Sequence, residues 1–194
     1  AGNIQTSFGD LNAVTPNLIS QLGIMEKGLG ISAENSAVLT KSLMDVSGMS
    51  EEAALNQIQF TAQLAMANDV APGEIMADIA ENTETFAEFG KDGGANIAKA
   101  AIQARKLGLN LGTTAKIAES LLDFESSIEQ EMQASLMIGK QLNFNKAREL
   151  ALSGDIAGAA ADVMKQVGGQ AEFEKLNVLQ RKALADSIGV SVDE

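Results

Sequence analysis

GISAENSAVLTKSLMDVSGMSEE, residues 30–52, carries the same short pattern at both of its ends. Each copy has a Gly, an apolar residue and a Ser, followed within two positions by an acid, in Gly30–Glu34 and again in Gly48–Glu52. Gly tolerates the left-handed backbone that ends a helix, and Ser caps the next helix, whose positive end attracts the acid. The pattern therefore predicts short helices joined by tight turns.

Looser copies of this turn lie further along the chain, at residues 69–74, 108–111 and 189–194. Pro72 supports the first of them, because proline suits the first turn of a helix. The last copy begins a helix that the sequence does not complete. We therefore expect residues 1–194 to be a window of a longer chain.

Apolar residues between these turns recur every three or four positions, as on one face of a helix, and no hairpin pattern is present. The sequence thus predicts an all-α fold of serial short helices. The longest pattern, residues 113–138, predicts one long amphipathic helix near the middle of the chain. Its packing stripe, expected to be the best-buried surface and to serve the core or self-association, consists of Ile117, Leu121, Phe124, Ile128, Met132 and Leu136.

The strongest break in the helical pattern is Lys91-Asp92-Gly93-Gly94. It predicts two helical layers, an N-terminal one over residues 1–90 and a C-terminal one over residues 91–194 that contains the long helix 113–138. Aromatic residues make up only 4% of the chain and all are Phe. Helices lined with Ala bury little area each, so we expect the chain to gain stability from self-association.

The composition excludes several kinds of chemistry. The chain has no His and no Cys, which rules out a Ser-His-Asp triad, a Cys nucleophile and zinc-finger or iron–sulfur sites within it. The net charge of −12 argues against a nucleic-acid-binding surface. The acids concentrate in the middle of the chain and favour an ordinary solvated surface. The alternative is the lining of a passage through which DNA slides without adhering.

Two motifs could carry chemistry, and both have simpler readings. The carboxylate pairs Glu125 with Glu129 and Glu129 with Glu131 could serve glycoside cleavage, although a solvated helix face is favoured. The segment Gly90–Gly94 resembles a phosphate loop but lacks the Walker A ending, which favours an ordinary loop. We therefore predict no catalytic, cofactor-binding or metal-binding residues, and no enzymatic activity.

Two long segments carry a family resemblance, LGISAENSAVLTKSLMDVSGMSEEAALNQIQFTAQLAMANDVAPGEIMADIAENTETFAEFG (residues 29–90) and KAAIQARKLGLNLGTTAKIAESLLDFESSIEQEMQASLMIGKQLNFNKARELALSGDIAGAAADVMKQVGG (residues 99–169). With their Gly-apolar-Ser turns and Ala-rich helices, they resemble the helical region of phage tail tape measure proteins. The resemblance implies a structural virion protein that lies in the tail-tube lumen, sets tail length and is released during DNA delivery.

The resemblance also implies partners. These are further copies of the chain and other tail proteins of the tube and baseplate, with transient membrane contact during ejection and no specific binding of nucleic acid. It implies location in the virion tail, and in the host cytoplasm during assembly. It carries no active site or cofactor to this chain. The alternative is a cellular α-helical scaffold or adaptor, and a third reading, an envelope-active enzyme, would need a catalytic carboxylate in a cleft.

Overall fold

The computed structural model describes residues 15–90 and 94–192, without the side chains of residues 169–171. Throughout this part the chain consists of helices, turns and loops, and no strand is present. The all-α fold class predicted from the sequence is confirmed. Residues 91–93, in the middle of the Gly90–Gly94 loop, lie outside the described residues. So do residues 193–194, at the end of the last turn copy.

The chain forms two compact units, one ending at Lys106 and the other beginning at Leu107. The helices of unit 1 are α1 (Pro16–Leu29), α2 (Ala33–Ser47), α3 (Glu51–Ala67), α4 (Pro72–Glu81), α5 (Thr83–Phe89) and α6 (Ala95–Lys106). Those of unit 2 are α7 (Leu111–Leu122), α8 (Phe124–Ile138), α9 (Asn145–Leu152), α10 (Ile156–Val167), α11 (Gly169–Glu174) and α12 (Val178–Ser187).

The division between the units differs from the expected one at residues 90 and 91. Helix α6 follows the Gly-rich break but packs back on α3, α4 and α5. Its small residues Ala98, Ala101 and Ala104 are buried there, and they allow a close approach of the helices. A glycine-rich break therefore interrupts unit 1 and does not end it.

The turns between the first helices have the geometry that their residues favour. Gly30 and Gly48 adopt left-handed backbone angles, with φ of +66° and +65°. The hydroxyl of Ser32 accepts a hydrogen bond from the Asn35 amide at 3.1 Å, and Ser50 accepts one from Ala53 at 3.2 Å. Each turn therefore ends one helix and begins the next within three residues.

Unit 1 encloses a core between α2, α3 and α4, with α1, α5 and α6 packed around them. The core side chains are aliphatic and small, in keeping with the composition. The most deeply buried large ones include Leu18, Leu22, Met25, Ile31, Ile58, Ile75 and Ile97. A small, partly open cavity of about 20 Å³ beside Gln57 and Phe86 has room for about one water molecule.

Gly73 provides a test of how tightly unit 1 is packed. A methyl group at this position in α4 would overlap the backbone carbonyl of Gly30, which cannot rotate away. We expect Gly73→Ala to lower the free energy of unfolding by about 1–3 kcal/mol, as overpacking does. Chemical denaturation followed by circular dichroism measures the change.

The matched control for this substitution is Gly23→Ala in α1, where an added methyl group meets nothing within 4 Å. There the change should stabilise unit 1 by about 0.5–1 kcal/mol, because alanine favours the helix over glycine. Equal effects of the two substitutions would show that α4 does not approach the α1–α2 turn as described.

Unit 2 has its core between α7, α9 and α10, while α8 packs mainly against α12. Buried side chains of this core include Leu111, Ile117, Leu121, Phe144, Ile156 and Val163. Helix α12 runs opposite to α8. In the first turn of α12, Gln180 donates a hydrogen bond to the Met137 carbonyl at the end of α8, at 3.0 Å. At the other end of α12, Gly189 lies against Ser120 of α7.

The long helix predicted over residues 113–138 is divided in two. Asp123 leaves the helical backbone, with ψ of 80°, and separates α7 from α8. Its carboxylate accepts a hydrogen bond from the Ser126 amide at 3.4 Å, as an N-cap residue does. The prediction of one continuous helix is therefore wrong, because an acid placed to cap a helix start interrupts the apolar periodicity.

Candidate interaction surface

Helix α8 turns its less hydrophobic side toward the core of unit 2. Ser127 and Ala134 are fully buried, and Glu131 lies between them on the same side. These residues are spaced four and three positions apart, the spacing of one helix face. The most buried part of the inward face of α8 thus presents a hydroxyl, a carboxylate and a methyl group.

Arg148 of α9 explains this choice of face. Its guanidinium is almost entirely buried, and Nη2 donates to Oε2 of Glu131 at 2.7 Å. Nε donates to Oγ of Ser127 at 3.0 Å, and Nη1 donates to Oδ1 of Asn145 at 3.1 Å. A buried guanidinium requires acceptors and a counter-charge, so α8 faces it with the side that supplies them.

The loop between α8 and α9 is bound to the same face. The amide of Phe144 donates to Oε2 of Glu131 at 2.9 Å, and the amide of Leu142 donates to Oγ of Ser135 at 3.0 Å. Both loop side chains are buried beneath the helix. The carboxylate of Glu131 therefore joins the Arg148 side chain and the loop backbone to one point on α8.

The predicted packing stripe is accordingly split by the break at Asp123. Its two members on α7, Ile117 and Leu121, are buried, as expected. Its four members on α8 point outward, so the expectation that the stripe is the best-buried surface is wrong for them, while a role in self-association stays a prediction. Their exposed fractions are 45% for Phe124, 45% for Ile128, 62% for Met132 and 82% for Leu136.

Helix α12 extends this exposed apolar surface. Val178 and Leu179 are mostly exposed at its start, close to Met137 at the end of α8 because Gln180 binds the Met137 carbonyl. We call the combined surface the outer face, and it consists of Phe124, Ile128, Met132, Leu136, Met137, Val178 and Leu179. Large apolar side chains exposed in such number are typical of a contact site for another macromolecule.

The charges around the outer face differ between its two ends. Asp123, Glu125 and Glu129 are exposed where α8 begins, and Asp186 is exposed on the part of α12 that runs alongside. Lys182 is exposed on α12, one turn after Val178. Exposed acids therefore concentrate where α8 begins, and an exposed lysine lies on α12.

The carboxylate pairs considered for catalysis do not share one environment. Glu131 forms the ion pair with Arg148, whereas Glu125 and Glu129 are exposed on the other side of α8.

Elsewhere in unit 2, Lys175 donates to Glu172 at 2.6 Å, and this hydrogen bond and positive charge lower the pKa of the Glu172 carboxyl. Within the described ranges, no acids cluster as ligands for a metal ion, and no helix is long and apolar enough to cross a membrane.

Unit 1 has a smaller exposed apolar patch of its own. Ile19 and Ile24 of α1 are about half exposed and flank an open groove beside Gly23 and Gly28. The groove has no buried polar group among its lining residues. It is therefore a less extensive contact surface than the outer face of unit 2.

Sequence reasoning missed the Arg148 cluster, although a signal for it was present. Ser127, Glu131, Ala134 and Ile138 form a second stripe on α8, at spacings of four, three and four. The sequence favours the more hydrophobic stripe because burial normally follows hydrophobicity.

A comparison of this chain with known protein families, with curated proteins and with solved structures finds no match.

Proposed function

We propose that this chain is a structural, non-enzymatic segment that works by binding other proteins, and that it belongs to a phage tail tape measure protein. The observation that carries the structural role is the orientation of α8, which exposes its more hydrophobic face and buries its polar one. Large apolar side chains left exposed in this way are typical of a functional surface, since they add little to the stability of the isolated fold.

The tape measure assignment rests on the resemblance over residues 29–90 and 99–169. In this proposal the chain lies in the tail lumen, contributes to tail length and leaves with the DNA. Exposed acids such as Glu125 and Glu129 suit that role, because they repel the phosphates of a passing genome. Its partners are the tube and baseplate proteins and further copies of itself, with membrane contact limited to ejection.

A cellular scaffold or adaptor is the second candidate, and the outer face supports it equally well. The two candidates differ in how tail length responds to a change in chain length. Shortening a tape measure shortens the tail, whereas shortening a scaffold of the same fold leaves the dimensions of a virion unchanged.

The test is an in-frame deletion of residues 107–192 from the full-length protein in the phage that encodes it. We expect shorter tails in electron micrographs, by up to about 1.5 Å for each deleted residue if the deleted part is helical along the tube. Antibodies raised against this chain should also detect it in purified particles.

The control for the deletion is Leu152→Asp, a change at an exposed side chain of α9 away from the outer face. It should leave tail length unchanged. Tails of normal length after the deletion, or absence of the chain from purified particles, would exclude the tape measure and leave the scaffold.

A further inference from the structure

We propose that the outer face binds an amphipathic helix of another protein, one whose apolar side is bordered by lysine or arginine. The inference rests on the proposed structural role, since it names the chemistry of the partner for the same surface. Two neighbouring rows of exposed side chains on α8 carry it, one apolar and one that begins with two acids.

The apolar row consists of Phe124, Ile128, Met132 and Leu136, which are between 45% and 82% exposed. Each lies four positions from the next, so the row forms a single ridge along α8, inclined to the helix axis. A ridge of this spacing packs between the matching ridges of another helix, and the two axes then cross at about 50°. The shape of the row therefore suits a helix as its occupant.

The second row consists of Glu125, Glu129, Gln133 and Met137, and all four side chains are exposed. Each follows a member of the apolar row in sequence, so the second row lies about 100° further round the helix. Its carboxylates border the first half of the apolar row, while Met137 widens the second half with a side chain that adapts to its partner. Carboxylates at the edge of an apolar contact favour a partner whose own edge is positive.

The charges of α8 select the chemistry of the partner. Residues 123–138 contain four acids and no lysine or arginine, so the helix provides no counter-charge of its own. Among these four acids, only Glu131 forms an ion pair within the part of the chain that the structure describes. Lysine or arginine on a partner would neutralise Glu125 and Glu129, whereas nucleic acid or an anionic membrane would add negative charge beside them. The outer face is therefore matched to a basic amphipathic helix.

Binding of a designed peptide to the full chain tests the apolar row. The probe is a helical peptide of 15 residues, the length of α8, with leucines and one tryptophan on one side and lysines on the other. The chain has no Trp and no Tyr, so the fluorescence of the peptide tryptophan reports binding directly. We expect Leu136→Asn to raise the dissociation constant about tenfold, as at a binding hot spot. Leu152→Asn, the same change at an exposed side chain outside the outer face, should leave the dissociation constant unchanged.

Charge reversal tests the acidic row. Glu129→Lys should weaken binding of the lysine peptide about threefold, because it places a positive charge beside the bound lysines. It should strengthen, by a similar factor, binding of a second peptide in which every lysine is replaced by glutamate. Glu149→Lys is the matched control, because it changes the net charge equally at an exposed residue of α9 outside the outer face. Equal effects of the two substitutions would contradict a site on α8, since they would reflect only the overall charge of the chain.

The failure of this inference can be distinguished from failure of the proposed function. A glutamate peptide that binds the wild-type chain as tightly as the lysine peptide, or binding that is insensitive to Leu136→Asn, would overturn the basic helix as partner. Binding of phosphatidylglycerol vesicles that is lost in Leu136→Asn would overturn it in favour of a membrane surface. Shorter tails after deletion of residues 107–192 would support the tape measure role in every case, because tail length does not report the chemistry of this partner.

Discussion

Replacing Arg148 by Met should lower the free energy of unfolding of unit 2 by about 3–5 kcal/mol, the usual cost of breaking a buried ion pair. The substitution keeps a side chain of similar length but removes the guanidinium. Glu131 would then lose its counter-charge at a site where its side chain is only 15% exposed, and Ser127 would lose its buried donor. Chemical denaturation followed by circular dichroism measures the loss, and amide exchange in α8 and α9 assigns it to unit 2.

Two further variants separate the buried pair from ordinary surface charge. Lys175→Met removes the cation of an exposed ion pair in the same unit and should produce no comparable loss. Adding Glu131→Met to Arg148→Met should restore part of the stability, since no unpaired charge is left. The recovery should be incomplete because the Phe144 amide also loses its acceptor. An Arg148→Met protein as stable as the wild type would contradict the buried network.

Phe144→Ala should also cost about 3–5 kcal/mol, because it removes a fully buried ring from the centre of unit 2. The matched change, Phe124→Ala, removes the same ring from a side chain that is 45% exposed and should cost about 1 kcal/mol. Denaturation monitored by circular dichroism gives both values.

The comparison of these two rings reverses the expectation drawn from the sequence, in which Phe124 belongs to the buried stripe. A larger loss from Phe124→Ala than from Phe144→Ala would restore that expectation. It would also mean that α8 faces the core with its apolar side, and the outer face would then not exist as a surface.

The helical fold could be predicted because its signals are local. Gly30 with Ser32, and Gly48 with Ser50, determine helix ends through backbone conformation and capping within five residues of chain. Apolar spacing likewise locates the helices themselves. These signals require no knowledge of what lies elsewhere in the fold, and for that reason they are readable from sequence.

The orientation of α8 could not be predicted because it depends on a residue far along the chain. The side of the helix that turns inward is set by Arg148, which lies 21 positions from Ser127 and 17 from Glu131. Hydrophobicity alone selects the opposite side. The break at Asp123 was readable in principle, since Asp is a preferred N-cap residue and Glu125 puts an acid in the first turn, but the apolar stripe through it was the stronger signal.

The opposed faces of α8 also have a genetic consequence. Substitutions at Ser127 or Glu131 act on the stability of the chain, so they should reduce its abundance through proteolysis of the unfolded form. Substitutions at the exposed Met132 or Leu136 should leave the fold intact, and under the proposed structural role they should act on assembly. On that proposal one 15-residue helix encodes two separable phenotypes, and suppressors of defects in the second class should arise in the partner.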